Sequence, residues 1–367
     1  MSGATEDADD VRAPRAPSSE DPHPRGGGPD LLDVVGLGSP LVDVLSTAED
    51  EDLVAAGLVK GSMELVDLAR AEAIYAAMGS GTEVSGGSAA NTVAGVAALG
   101  GTAGFVGKVV DDPMGQVFTH DIRASGVEFH PVVARSGGGD AEIVGTGRCL
   151  VLVTGDAERT MATHLGAAGT LSPDEVPLDL VARARLLYLE GYLWDLPAAK
   201  EAMRRAVEES HRNDGAVALS LSDPFCVERH QRDFLDLVRD DVDVLFGNEE
   251  EIVRLFGART LDGGLRAAEE TGVLVVVTLG ARGCVVVTPQ GPVAVPAAPV
   301  ERVVDTTGAG DLFAAGFLYG LTHGSGPEDC ARLGALCAGE VISHLGARPQ
   351  EDLRDLAAGA GLLDGLP

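Results

Sequence analysis

The run Asp305-Thr306-Thr307-Gly308-Ala309-Gly310-Asp311 carries residue types suited to holding an anion beside a proton acceptor. It follows a β-like segment and opens an apolar stretch, 312–321, that reads as a helix. Small residues at 308–310 let backbone N–H groups approach an anion, and the start of a helix adds positive partial charge at the same spot. Asp311 places a carboxylate in the first helical turn. Such a pair suits movement of a phosphoryl group onto a hydroxyl: Gly308, Ala309 and Gly310 steady the charge, and Asp311 takes the hydroxyl proton. Each piece alone is ordinary, since acids cap helices and glycine pairs make turns. The information lies in the whole run at a strand-to-helix junction.

A second block, Gly86-Gly87-Ser88-Ala89-Ala90-Asn91-Thr92, sets a double glycine before an Ala- and Val-rich helix. Gly86 and Gly87 permit close approach of a ligand to the backbone. Asn91 offers both a donor and an acceptor, which sugar hydroxyls require. Asp43, after the first strand in Gly36-Leu-Gly-Ser-Pro-Leu-Val-Asp43, suits a bidentate grip on two vicinal hydroxyls. Gly36-x-Gly38 is not a dinucleotide fingerprint, because Leu41 stands where the third glycine belongs. Residues 101–108 are not a P-loop either: the spacing is wrong, and Val109 replaces the metal-binding hydroxyl.

These residues need a scaffold, and the chain supplies one. Apolar runs at 31–38, 103–109, 186–191, 217–222, 242–247, 273–279 and 284–288 predict strands, often apolar at consecutive positions, as a sheet covered on both faces demands. Helical patterns fall between and after them at 89–99, 115–125, 198–211, 228–239, 249–256, 312–321 and 327–344. The alternation predicts a doubly wound, mostly parallel α/β sheet flanked by helices. Residues 42–67 and 127–165 break the rhythm with half-buried alternation and predict a small β-sheet lid, with a loop at 136–140. Residues 1–30 hold seven acids, three arginines, five prolines and a glycine triplet, and read as a disordered tail or a partner-binding arm. Residues 351–367 read as a C-terminal tail.

The 367 residues carry a formal charge of −30 with only three lysines, Lys60, Lys108 and Lys200, which excludes nonspecific binding of nucleic acid or acidic membranes. A polyphosphate would need a helix end, a few arginines and a metal ion. None of the five cysteines sits in a C-x-x-C pair, so buried reduced thiols are expected. No apolar run reaches transmembrane length, and residues 1–30 lack a hydrophobic signal core, which together predict a cytoplasmic protein.

The two glycine blocks resemble the C-terminal and N-terminal signatures of the PfkB/ribokinase superfamily of sugar and nucleoside kinases. The likeness covers nearly all of residues 31–350. The segments Gly145-Thr-Gly-Arg-Cys149, Asp156-Ala-Glu-Arg159 and Leu221-Ser-Asp-Pro-Phe225 most resemble adenosine kinases. The resemblance implies a ribokinase-like fold and ATP-dependent phosphorylation of the ribose 5′-hydroxyl of adenosine, or of ribose, fructose or 2-keto-3-deoxygluconate. It implies that Ser39, Asp43, Gly86, Gly87 and Asn91 hold the substrate, with Asp311 as base. Ser39 stands where adenosine kinases often carry Asn, so its grip on the ribose differs. Asn248, Thr278 and Gly280 would touch ATP, and Glu251, in an N-x-x-E motif, would serve Mg²⁺ through water. Arg159 would reach the transferred phosphate or else pair with Glu158. Asp305 and Thr307 would contribute to a monovalent cation site, K⁺ in particular. Tyr192, Trp194 and Phe225 are the candidates to stack a purine. The relatives' precedent allows a monomer or a homodimer.

Overall fold

The structure, a computed structural model, describes residues 31–134, 145–156 and 158–363. The expected tail 1–30, the loop 136–140 and the last four residues lie outside the described residues.

A nine-stranded sheet forms the body. Its order is Gly291–Val295, Cys284–Thr288, Leu274–Thr278, Val244–Asn248, Ala216–Ser220, Ala184–Glu190, Leu32–Leu37, Ala103–Val106 and Glu128–Phe129. The strands are parallel from Glu128–Phe129 through Leu274–Thr278. The last two add antiparallel. Consecutive apolar residues serve opposite faces, as period-2 geometry dictates. Val34, Leu186 and Tyr188 join a core with helices Ser88–Ala98, Ala309–Thr322 and Pro327–Val341. Val35, Leu187 and Leu189 join a second core with helices Pro197–Arg212, Pro224–Asp240 and Glu249–Leu255. All five cysteines are buried and free.

Helix Ala309–Thr322 is buried from Leu312 through Thr322. Small residues let it sit this deep. A Cβ on Gly316 would come 2.7 Å from the Leu333 backbone, and one on Gly95 would come 2.6 Å from Ala315 Cβ. The Gly95–Ala315 contact draws helix Ser88–Ala98 tight against it, one turn from the place where Asn91 meets Asp311.

The lid is a five-stranded sheet in the order Met63–Leu65, Arg159–His164, Gly147–Val153, Leu41–Thr47, Thr82–Gly86. Two boundaries differ from expectation. Thr82–Gly86 joins the lid, although its first two residues are exposed and its polar composition gives no strand signal. Glu128–Phe129 extends the main sheet instead, and Val132–Ala134 pairs with Lys108–Val110, because half-buried alternation does not say which sheet a strand joins. The C-terminal boundary moves as well. Leu353 and Ala357 of helix Leu353–Gly359 are fully buried in the first core, so the packed unit runs past residue 350. One face of the lid carries Val44, Leu150 and Ala162 against Leu53 and Ile74 of two short helices. The other face turns Leu41, Asp43, Cys149, Met161 and Thr163 toward the body and lines a cavity there.

Candidate active site

The cavity, about 400 Å³, lies between the lid and the carboxyl ends of the parallel strands, where open α/β sheets bind ligands. Ser39 follows Leu32–Leu37, Glu190 ends Ala184–Glu190, Asn248 ends Val244–Asn248 and Thr278 ends Leu274–Thr278. Ser39, Asp43, Gly87, Asn91, Arg159, Asn248, Glu251, Thr278 and Thr307 through Asp311 all line it. Sequence-distant candidates thus converge on one space.

Asp311 is held at both oxygens. Ser88 Oγ donates to Oδ1 at 2.7 Å, and Asn91 Nδ2 donates to Oδ2 at 2.9 Å. Burial raises its carboxyl above the ordinary range; the Asn91 and Ser88 bonds and the charges of Arg159 and Arg348 oppose that rise. Gly308 caps its helix with φ +75°, a left-handed conformation suited to glycine. A Cβ on Gly310 would meet nothing within 4 Å, so the backbone there faces open space.

Gly87 also has positive φ, +99°, and a Cβ on it would lie 2.1 Å from the Ser39 carbonyl oxygen. Gly86 is not a wall of the cavity. It sits directly behind Asp43, where a Cβ would come 2.1 Å from Oδ2, and so its small size makes room for that carboxylate. Burial pushes Asp43 up to about 7. Ser39 Oγ and Asn91 Oδ1 are buried and have no hydrogen-bond partner. Both line the cavity beside Asp43, as unfilled acceptors and a donor aimed at a ligand would.

Arg159 crosses from the lid to the body. Its Nε lies 3.2 Å from Asp305 Oδ1, and Nη2 donates to Thr306 Oγ1 at 3.3 Å. Its partner is therefore Asp305, not Glu158. Asp305 is fully buried and also accepts from Thr307 N, from Thr307 Oγ1 and from Gly346 N. Asn248 and Glu251 form a reciprocal cap: Asn248 N and Nδ2 donate to Glu251, and Glu251 N donates to Asn248 Oδ1. Burial pushes Glu251 up to about 7. Among the described residues no group of three His, Cys, Asp or Glu could hold a metal by itself. Gly280 stands outside the cavity wall with φ +59°. Of the three aromatic candidates only Tyr192 lines the cavity. Trp194 is buried against Phe234, and Phe225 is half exposed beside Arg254.

Residues 51–353 match the model of the pfkB family of carbohydrate kinases. The chain belongs to that family. It is 44% identical to the adenosine kinase structure from Sinorhizobium meliloti, with a TM-score of 0.85 over 90% of this chain and 99% of the other. A probable sugar kinase from Rhizobium etli CFN 42 matches at 42% identity and the same TM-score of 0.85, over 91% and 99%. The adenosine kinase of Saccharomyces cerevisiae is 30% identical over 335 residues, 85% of this chain and 95% of that protein. The protein is thus a kinase that phosphorylates an alcohol group, on a ribokinase-like fold.

Several residues of this kinase's site escape sequence reading. Ser88 stands inside the Gly86–Thr92 block, yet nothing in the spacing marks it as a partner of Asp311. Thr306, inside the seven-residue run, meets Arg159 only in three dimensions. Arg348, in Gly346-Ala-Arg-Pro, gives no periodic signal; burial pulls its guanidinium down to about 10. Glu190 has a faint signal, a lone acid closing the apolar run 186–189. Its carboxylate accepts from Ser39 N at 2.7 Å and from Ala89 N at 3.0 Å, and so ties the Ser39 turn to the start of helix Ser88–Ala98.

Burial raises Glu190 to about 7 despite those two bonds. Its folded value exceeds the unfolded one, roughly 4.3. The stability it contributes is therefore complete below that unfolded value and is lost as pH rises through about 7. Glu190→Gln removes this titration. The gap in melting temperature between wild type and E190Q should narrow by about 2–4 °C from pH 5 to pH 8, followed by calorimetry. A gap independent of pH would show that Glu190 does not titrate there.

Proposed function

We propose that this kinase transfers the γ-phosphoryl of ATP to the ribose 5′-hydroxyl of adenosine, giving AMP and ADP, a purine-salvage reaction. The observation that carries the reading is a cavity lined by two kinds of surface. Asp43, Ser39 Oγ and Asn91 Oδ1 offer polar groups to hydroxyls, in the same cavity as Asp311 and the anion cradle. Leu41, Met63, Cys149 and Met161 add an apolar wall from the lid. An apolar wall suits the face of a base, whereas a bare sugar would leave hydroxyls unsatisfied against it. Similarity to adenosine kinases at 44% and 30% identity supports the same reading.

In the proposed reaction Asp43 accepts hydrogen bonds from two ribose hydroxyls, and Gly87 lets the sugar approach the backbone. Asp311 takes the proton from the 5′-hydroxyl as its oxygen bonds to the γ-phosphorus and the bond to ADP breaks. Backbone N–H groups of Gly308–Gly310 receive the charge gathering on the phosphoryl oxygens. Asn248 and Thr278, which line the cavity, hold the nucleotide, and Gly280 meets the part of it that extends beyond the cavity wall. Mg²⁺, which prefers oxygen ligands and keeps its waters, would neutralise phosphate charge and be held by Glu251 through water, since both Glu251 oxygens already accept from Asn248. A K⁺ ion at Asp305 and Thr307 would have to share Asp305 Oδ1 with Arg159. The enzyme would act in the cytoplasm, where its five free thiols stay reduced, as a monomer or a homodimer. No helix among the described residues is long and apolar enough to cross a membrane.

Arg159 is the lid's charge at the phosphoryl group. Arg159→Ala should lower kcat by about 10²-fold, with a smaller change in the KM for adenosine. Steady-state kinetics that leave kcat within about twofold would remove Arg159 from the transfer step.

A sugar kinase acting on ribose, fructose or 2-keto-3-deoxygluconate is the second reading. The residues that the lid presents to the cavity include no aromatic stacking face, which favours it. ATP and Mg²⁺ offered with adenosine and with each sugar, read by the phosphorylated product, decide between them. Turnover of a sugar but not adenosine overturns the first reading. No phosphate ester with any of them overturns both.

A further inference from the structure

A hydroxyl stands in the apolar wall that the lid gives this kinase's cavity. Leu65, Thr163, Cys149 and Asp43 lie side by side across four lid strands: Leu65 pairs with Thr163, Thr163 with Cys149, and Cys149 with Asp43. All four line the cavity, so the row lies on the inner face of the lid. Neighbouring strands are about 4.8 Å apart, which puts the Thr163 backbone about 10 Å from that of Asp43. That span is of the order of a nucleoside from its ribose hydroxyls to the far edge of its base. Thr163 Oγ1 donates to Cys149 Sγ at 3.3 Å, and both residues are buried.

Packing alone does not ask for this hydroxyl. Sulfur is a weak acceptor, and valine would fill the same space with no polar atom to bury. Burial pushes the Cys149 thiol up to about 12, so the sulfur keeps its proton and bonds as a neutral group. The hydrogen of Thr163 is thus spent on Cys149, and its oxygen keeps its acceptor capacity. Among the described residues no donor reaches that oxygen, and its neighbours on the lid wall, Leu65, Met161 and Leu165, have none to offer.

We propose that Thr163 determines specificity for the base: held by Cys149, its hydroxyl oxygen accepts a hydrogen bond from the amino group on the far edge of adenine, while Asp43, two strands away, grips the ribose hydroxyls. The inference rests on the adenosine reading above. The lid then contacts its substrate at two points set by strand spacing. A base without the amino group leaves the Thr163 oxygen unfilled, and a bare sugar held by Asp43 does not reach it.

The test compares adenosine with purine riboside, which differs by loss of the amino group, as substrates of the full chain. Wild-type kcat/KM should favour adenosine. That preference should fall about tenfold in T163V, through adenosine and not through purine riboside, and should stay within about twofold in T163S, which keeps the hydroxyl. Circular dichroism and melting temperature establish that each variant is folded. A merely structural threonine would change both nucleosides alike. A T163V preference within about twofold of wild type, or a wild type that does not favour adenosine, overturns the proposal and leaves the adenosine reading standing. If T163V does not fold, T163A takes its place with the same outcomes. A wild type that phosphorylates neither nucleoside overturns the adenosine reading and this proposal with it.

Discussion

Asp311→Asn should leave adenosine binding within about threefold of wild type and lower kcat by about 10³-fold or more, close to 4 kcal/mol of transition-state stabilisation. The separation of binding from turnover follows from the geometry. Asp311 is already anchored by Ser88 and Asn91 and sits at the helix start, with the hydroxyl grip elsewhere, on Asp43. An asparagine fits the same bonds. Its oxygen accepts from Asn91, and the Ser88 hydroxyl turns to accept from its amide, since a hydroxyl does both. What the amide lacks is a basic oxygen. Calorimetric titration with adenosine and single-turnover kinetics measure the two halves separately. A mutant with kcat within about tenfold of wild type would show that Asp311 is not the base, and the anion cradle would then be the main catalytic device.

Asp43→Asn should have the second largest effect, and of the opposite kind. Each hydrogen bond from a hydroxyl to a carboxylate contributes about 1.5–3 kcal/mol, so removal of a two-hydroxyl grip should lower kcat/KM by about 10²–10³-fold, mostly through KM. Gly86 is shaped for this carboxylate, which argues that the site was built around a charged group at that point. The wild-type KM for adenosine should also fall as pH rises through about 7, where Asp43 ionises, because the ionised form is the better acceptor. In D43N that dependence should vanish. A D43N enzyme with unchanged KM would place the ribose elsewhere, and Ser39 and Asn91 would be the residues to examine next.

The body of the fold is legible because burial on both faces forces apolar residues at consecutive positions. Val244, Leu245 and Phe246 are all buried, as are Leu186 through Leu189. Helix Ala309–Thr322 is equally plain, its start marked by the glycine run. The lid is harder. Thr82–Gly86 reads as polar loop, since it is a short edge strand whose only buried residues are Ser85 and Gly86. Val132–Ala134 has the right alternation but finds its partner at Lys108–Val110. The candidate site divides in the same way. Asp311, Gly308 and Asp43 carry their chemistry in their local setting. Ser88, Glu190 and Arg348 acquire theirs only by convergence: Ser88 meets Asp311 across 223 positions, and Glu190 reaches Ser39 across 151. Asn91 belongs to both groups. Its type and place point to a ligand, and the structure shows that its amide nitrogen is committed to Asp311 while its oxygen stays free.

The lid's central pairing joins Leu41–Thr47 to Gly147–Val153, while the body strands that come before and after the lid strands in sequence, Leu32–Leu37 and Ala184–Glu190, are neighbours in the main sheet. Closure of so long a chain loop is entropically unfavourable until something else brings its ends together. Pairing of the two body strands brings the ends of that loop together and so lowers the entropic cost of closing the lid sheet. The stability of the cover is in this way tied to that of the body beneath it.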